Sequence, residues 1–285
     1  MLKLVAALLL VLLSAPSNGS ERSDNAKTPI DYLPALAGDY FKHDSESVGR
    51  PYHIFVRLPH GYEDTPSKNY PVIYLLDGDS LFPMLAPTHL FLTYDEQIPE
   101  AIIVGIAYGG FGDVNKRDID FHEFASQENG EPHGPDKFLK FLKHELLPTV
   151  SSRYRTDESK RVLVGQSYGG FFVLWSALQD PDLFWARIAS NTSFGDERER
   201  LFSEASESAN KEGLIAITIG TKDTQSRQDF VKEWSTTWME SDSAPWTVKE
   251  FVMKGGRHAA TIAETYRQTL KWIFKGKEPE SDSHG

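Results

Sequence analysis

A chain of 285 residues, 40% hydrophobic and 25% charged, has the length and composition of a globular protein of one large or two small domains. Its formal charge of −11 argues against a nucleic-acid partner and offers no polybasic route to an anionic membrane. The absence of cysteine excludes disulfides, thiol catalysis, thiolate metal sites and a lipid-modified cysteine.

At the start of the chain, Lys3 precedes an apolar run at 4–13 and a small, polar stretch at 14–20. This is the pattern of a secretory signal peptide, with cleavage expected between Ser17 and Ser20. The run is short for a transmembrane helix, which needs roughly 20 apolar residues. Export without disulfides suits a bacterial periplasm better than a eukaryotic secretory route, so the expected location is periplasmic or secreted. Residues 21–36 are polar and proline-bearing and are expected to form a flexible lead-in. Residues 37–275 then form the folded domain, and 276–285 a disordered tail.

Strands are expected at 52–58, 72–76, 102–107, 161–165, 186–190, 214–220 and 247–253. Helices are expected at 80–92, 137–147, 168–179, 193–208, 228–239 and 259–274. The runs VIYLL, IIVGIA and VLVG are continuously apolar, as in strands buried on both faces of a sheet. The alternation predicts an α/β fold with a mostly parallel central sheet and helices on both faces. No long helix separates 52–58 from 72–76, so the N-terminal strands should be antiparallel. Residues 109–135 are too long and irregular for an ordinary connection and should be functional or mobile.

The run VLVGQSYGGFF (162–172) places Ser167 in G-x-S-x-G, after a strand and before a helix. A serine projecting from such a turn is held in strained backbone, and side chains at Gly165 and Gly169 would meet the neighbouring strand and the helix start. Its hydroxyl needs a base. His258 follows the last expected strand through Lys254–Arg257, on the sheet edge where ligands gather. The base in turn needs an acceptor, and the order serine, acid, histidine leaves Asp223, just past 214–220, as first choice; Asp229 and then Asp196 follow. The N–H groups of Tyr168 and Asp79 are the candidate oxyanion-hole donors, Asp79 coming from the turn DGDS after 72–76. Neither an H-E-x-x-H motif nor a histidine–carboxylate cluster supports a metal site. Asn191-Thr-Ser is read as a chance sequon, Trp234 and Trp238 as a packed helix face, and Arg257 as a surface arginine.

The segments YPVIYLLDGDSLF (70–82), IIVGIA and GQSYGGFF resemble the putative-esterase family of α/β-hydrolases. That family includes siderophore esterases, S-formylglutathione hydrolases, feruloyl esterases and mycolyltransferases. Arg117 and Asp120 are similar to its R-x-x-D element, and FLKHELLP with Tyr154 and Arg161 to a stretch read as structural. The resemblance spans roughly 52–274, is nearest the siderophore-esterase-like branch, and implies an α/β-hydrolase fold. It also implies Ser167 as nucleophile, His258 as base, amide donors at Asp79 and Tyr168, and no cofactor. The chain departs from that branch at Ser190–Phe194, where S-P-S-x-W-W is common, so the pocket should differ.

The expected function is therefore an exported serine hydrolase that cleaves a small-molecule carboxylic ester through an acyl-enzyme, with activity rising through a histidine pKa of about 6.5. Acyl transfer to a sugar or lipid alcohol would use the same site, and a non-catalytic binding module could retain the same fold.

Overall fold

The computed structural model describes residues 33–36, 38–96, 98–123, 134–209 and 212–275. The signal peptide, most of the lead-in and the tail expected from sequence lie outside the described residues. Among the described residues eight strands form one sheet, in the order β1-β2-β4-β3-β5-β6-β7-β8. β1 (Gly38–Asp44), β2 (Pro51–Arg57) and β4 (Ile102–Ala107) are antiparallel neighbours. β3 (Tyr70–Leu75), β5 (Thr156–Gln166), β6 (Ala186–Ser190), β7 (Gly213–Gly220) and β8 (Trp246–Met253) run parallel to β4 and to one another.

The apolar runs are continuous because successive residues fill two separate cores. Val72, Tyr74, Leu163 and Ile217 pack on one face, under α5 (Tyr168–Gln179) and α6 (Gln225–Met239). Ile73, Leu75, Val164 and Ala216 pack on the other, under α1 (Gly78–Asp95) and α7 (Ile262–Lys275). Each fully buried valine, leucine or isoleucine among them contributes about 1.5–3 kcal/mol by leaving water. Such a sheet, flanked by helices on both faces, is the α/β-hydrolase arrangement expected from sequence.

Some elements differ from the sequence expectation. The helix expected at 193–208 is absent; the segment holds only a 3-10 turn at Arg198–Phe202. Gly195 sits at φ 50°, and SEASES offers no apolar stripe that a helix could bury. The helix expected at 137–147 is longer: α3 (Gly134–Phe141) runs through a π segment (Leu142–Leu146) into α4 (Leu147–Arg153). Glu145 in that π segment ties down the β1–β2 turn, accepting the Ser47 N–H at 2.8 Å and standing 3.1 Å from His43 Nε2. Residues 109–123 carry a 3-10 turn (Gly112–Val114) and a short helix, α2 (Arg117–Phe121), while 124–133 lie outside the described residues. α2 is pinned by Asp120, whose buried carboxylate accepts the hydroxyls of Tyr52 at 2.6 Å and Tyr108 at 2.9 Å and pairs with Arg50. Trp234 and Trp238 are buried in the packed face of α6, and Arg257 is exposed.

Candidate active site

Because the strands from β3 to β8 are parallel, their C-terminal ends share one edge of the sheet. In the registers there, Gln166 pairs with Ser190 and Gly220 with Met253. The segments leaving that edge carry Asp77–Asp79, Ser167, Asn191, Asp223 and His258.

Ser167 turns the chain from β5 into α5 at φ 58° and ψ −118°, a strained conformation for a residue with a side chain. Local packing enforces it. The Ser167 N–H donates to the Ser190 carbonyl at 2.9 Å, and its own carbonyl accepts from Ser193 N at 3.1 Å. A Cβ on Gly165 would stand 2.3 Å from the Gly169 carbonyl oxygen, so any other residue there would push the helix off the strand. Gly169 is less constrained than expected, since its Cβ would first meet Asp77 Oδ2 at 3.1 Å.

His258 Nε2 lies 3.1 Å from Ser167 Oγ, and its Nδ1 lies 2.9 Å from Asp223 Oδ2. The Asp223 side chain is 1% exposed. It accepts Asn191 Nδ2 at 2.8 Å, Arg227 Nη1 at 3.0 Å and the Thr224 N–H at 2.7 Å. Burial works to raise its pKa, but the hydrogen bonds from His258, Thr224, Asn191 and Arg227 outweigh it and hold the carboxyl at about 2. An ionised acceptor places the imidazole proton on Nδ1 and leaves the Nε2 lone pair for the serine hydroxyl. That is the arrangement a serine needs to lose its proton on attack. Of the alternative acids, Asp229 is exposed and bonded to Gln225 Nε2 at 2.8 Å, and Asp196 is exposed.

On the other side of Ser167, Asp77 precedes α1 in the left-handed region, at φ 52°. Arg117 grips its carboxylate with two bonds, Nε to Oδ1 at 2.6 Å and Nη2 to Oδ2 at 2.9 Å. Burial would lower the Arg117 pKa, yet its bonds and ion pair with Asp77 raise it. The same Nη2 donates to the Gln166 carbonyl at 3.3 Å, and the guanidinium lies 5.3 Å from the centre of the Tyr168 ring. One side chain therefore touches the turn before Asp79 and both neighbours of Ser167.

Tyr168 is the first residue of α5 and Asp79 the second of α1. First-turn amides have no acceptor within their helix and sit at its positive end. α1 comes this close because Gly78 lacks a side chain; a Cβ there would lie 2.7 Å from Ile106 N. The Asp79 carboxylate accepts the amides of Tyr108 at 2.8 Å and Gly109 at 2.9 Å, joining the turn to the loop after β4. The cleft so formed holds about 250 Å³ and is bounded by Asp79, Phe111, Arg117, Gln166, Ser167 and His258.

Sequence reasoning missed three supporting residues. Asn191, noticed only within a chance sequon, is buried against Asp223 at φ 44°. Arg227, one turn along the chain from Asp223, also donates to Ser193 Oγ at 2.9 Å. Gln166, the variable position before the serine, donates to the carbonyls of His258 at 2.7 Å and Ala259 at 3.2 Å, anchoring the histidine loop. The i,i+4 spacing of Asp223 and Arg227 at a helix start was the one readable signal among them.

Residues 45–261 match the family model described as Putative esterase. Ferri-bacillibactin esterase BesA of Bacillus subtilis (strain 168) is 32% identical over 166 residues, covering 52% of this chain and 56% of that protein. Apo-salmochelin esterase of Escherichia coli O6:H1 is 27% identical over 169 residues, covering 56% of this chain and 52% of that protein. The chain thus spans about half the length of these curated relatives. An IroE-like serine hydrolase from Shewanella oneidensis superposes with a TM-score of 0.72 at 23% identity, covering 83% of this chain and 80% of that one. With the family match covering most of its length, the chain belongs to the putative-esterase family and has the α/β-hydrolase fold.

Proposed function

We propose that this protein is an exported serine esterase that hydrolyses carboxylic esters through an acyl-enzyme. The observation that carries the reading is the line Asp223–His258–Ser167, with bonds of 2.9 and 3.1 Å. Ser167 Oγ attacks the ester carbonyl carbon as its proton passes to His258 Nε2, and Asp223 stabilises the imidazolium. The N–H groups of Tyr168 and Asp79 receive the negative oxygen. Collapse of the intermediate breaks the bond to the alcohol, which leaves with the proton from His258. Water then repeats the sequence on the acyl group and restores Ser167. The names of the two curated relatives make siderophore esters the first natural substrates to try. Export rests on Lys3 and the apolar run at 4–13.

The test is turnover of p-nitrophenyl acetate and butyrate by the wild type and Ser167→Ala, with fluorophosphonate labelling located by peptide mass. An inert wild type, or an equally active alanine variant, sinks the mechanism. N-terminal sequencing of the exported form checks cleavage between Ser17 and Ser20.

A further inference from the structure

A second, larger cavity of about 970 Å³ adjoins the cleft and shares Asp79 and Phe111 with it. It is lined from β1 by Asp39 and Tyr40, from β2 by His53 and Phe55, and from the N-terminal part of α1 by Asp79 and Phe82. Ring contacts run along one wall without a break. Tyr40 stacks on His53 with centroids 5.8 Å apart, meets Phe55 at 5.3 Å, and Phe55 meets Phe82 at 5.6 Å. Tyr40 and Phe111 remain 54% and 74% exposed, although rings of this size normally bury themselves. The volume falls at the upper end of the usual range for small-molecule sites, about 300–1,000 Å³.

Its charge is one-sided. Asp39 and Asp79 line it, and no lysine or arginine does so among the described residues. In the adjoining cleft, the cation Arg117 is already engaged by Asp77. Apolar walls with only carboxylates among their fully charged groups give a negative potential, and exposed rings favour cations further.

We propose that this cavity binds one arm of the ester substrate, that the arm is aromatic or bulky apolar, and that uncharged and cationic arms are accepted while anionic ones are rejected. The proposal rests on the reading of Ser167 as nucleophile, since Asp79 and Phe111 join the cavity to that serine's cleft. An arm seated against Tyr40 and Phe55 would carry its ester linkage past Asp79 to Ser167. The selectivity follows from an anionic arm meeting Asp39 and Asp79, with no lysine or arginine on the lining among the described residues.

Two ester series test it. Phenyl acetates carrying a meta tert-butyl, trimethylammonio or carboxylate group vary the alcohol arm; methyl 3-phenylpropanoates with the same groups vary the acyl arm. Each kcat/KM is divided by the hydroxide-catalysed rate of the same ester. In at least one series the carboxylate should fall tenfold or more below the tert-butyl ester, with the trimethylammonio ester equal to or above it. Tyr40→Ala should raise KM for the tert-butyl ester five- to twentyfold and leave KM for vinyl acetate unchanged. Asp39→Asn should narrow the preference for trimethylammonio over tert-butyl by two- to fivefold. Equal normalised rates for all three groups in both series, or an unchanged KM for every bulky ester in Tyr40→Ala, would overturn the proposal. Failure of the serine reading is seen separately, as an inert wild type on vinyl acetate or an unlabelled Ser167. In that event, binding of phenyltrimethylammonium to Ser167→Ala, weakened by Tyr40→Ala, still supports the cavity; no binding overturns it.

Discussion

His258 and His89 each sit between two partners, one at each ring nitrogen, yet they stand in opposite surroundings. His89, on α1, is fully buried, with Nε2 3.1 Å from the Pro99 carbonyl and Nδ1 3.0 Å from the Tyr266 hydroxyl. The carbonyl can only accept, so Nε2 carries the proton and Nδ1 accepts from Tyr266. Both nitrogens are spent on holding α1, the approach to β4 and α7 together. His258 has a carboxylate on one nitrogen and a serine hydroxyl at the mouth of a cleft on the other, and its side chain is 33% exposed. Under the proposed mechanism, what suits His258 rather than His89 to proton transfer is the charge of one partner and the openness of the other. The bare presence of two hydrogen bonds does not distinguish the two.

The largest expected effect removes the open partner. Ser167→Ala should lower kcat on p-nitrophenyl butyrate by ~10⁴-fold or more, with unchanged melting temperature. Next, Asp223→Asn leaves the shape but lets the acceptor become a donor, which favours the wrong tautomer. A loss of about 10³–10⁴ in kcat is expected by steady-state kinetics. A loss under tenfold would mean that His258 works without its carboxylate, and the contrast with His89 would lose its charge component.

How far the sequence alone reaches depends on how local each cause is. β3, β4 and β5 were legible because burial on both faces leaves a continuous apolar run. β1 was not delimited: GDYFKHD pairs only with β2, stays mostly exposed at the sheet edge, and so carries no core pattern. The helix expected at 193–208 failed because Gly195 breaks the backbone at φ 50° and SEASES (203–208) carries no apolar stripe; Leu201 and Phe202 reach the core from a short 3-10 turn instead. In the candidate site, the turn chemistry of GQSYGG and the strand-end positions of Asp223 and His258 are local features, and the structure brings those three residues together. The contacts of Asn191 with Asp223, Gln166 with the His258 loop, and Arg117 with Asp77 join segments 32 to 92 residues apart. No local pattern encodes such pairs.

A third test sharpens the contrast through acid. Burial, and less strongly the nearby Arg57, lowers the His89 pKa from 6.5 to about 4, against the pull of Pro99. Between those values the unfolded chain binds a proton that the folded one refuses, so stability is complete above about 6.5 and falls as pH drops toward 4. The loss is roughly 3 kcal/mol across the window. Asp223, held at about 2, loses its own stabilising contribution only below its ordinary value of 3.8, so the two clusters fail at different pH. Urea unfolding at pH 7, 5.5 and 4.5 should show the His89 limb. His89→Gln, whose amide can donate to Pro99 and accept from Tyr266, should flatten it. An identical acid limb in the variant would assign the loss elsewhere.

The smallest expected effect concerns the frame around the cleft. Arg117 holds Asp77 in a planar fork and reaches Gln166 and Tyr168 with the same group, yet its charge is engaged by Asp77. If it positions the amides of Asp79 and Tyr168, removing it loosens stabilisation of the transition state while leaving ground-state binding alone. Arg117→Met should therefore lower kcat about 10- to 100-fold with KM within threefold. Arg117→Lys should recover little, because an ammonium keeps the charge but cannot form the two parallel bonds. Steady-state kinetics on a neutral ester separate the possibilities. A rise in KM with kcat intact would make Arg117 a substrate-binding group, and its charge would then count in the cleft. Full recovery by lysine would show that charge, rather than the geometry of the fork, holds the turn beside Ser167.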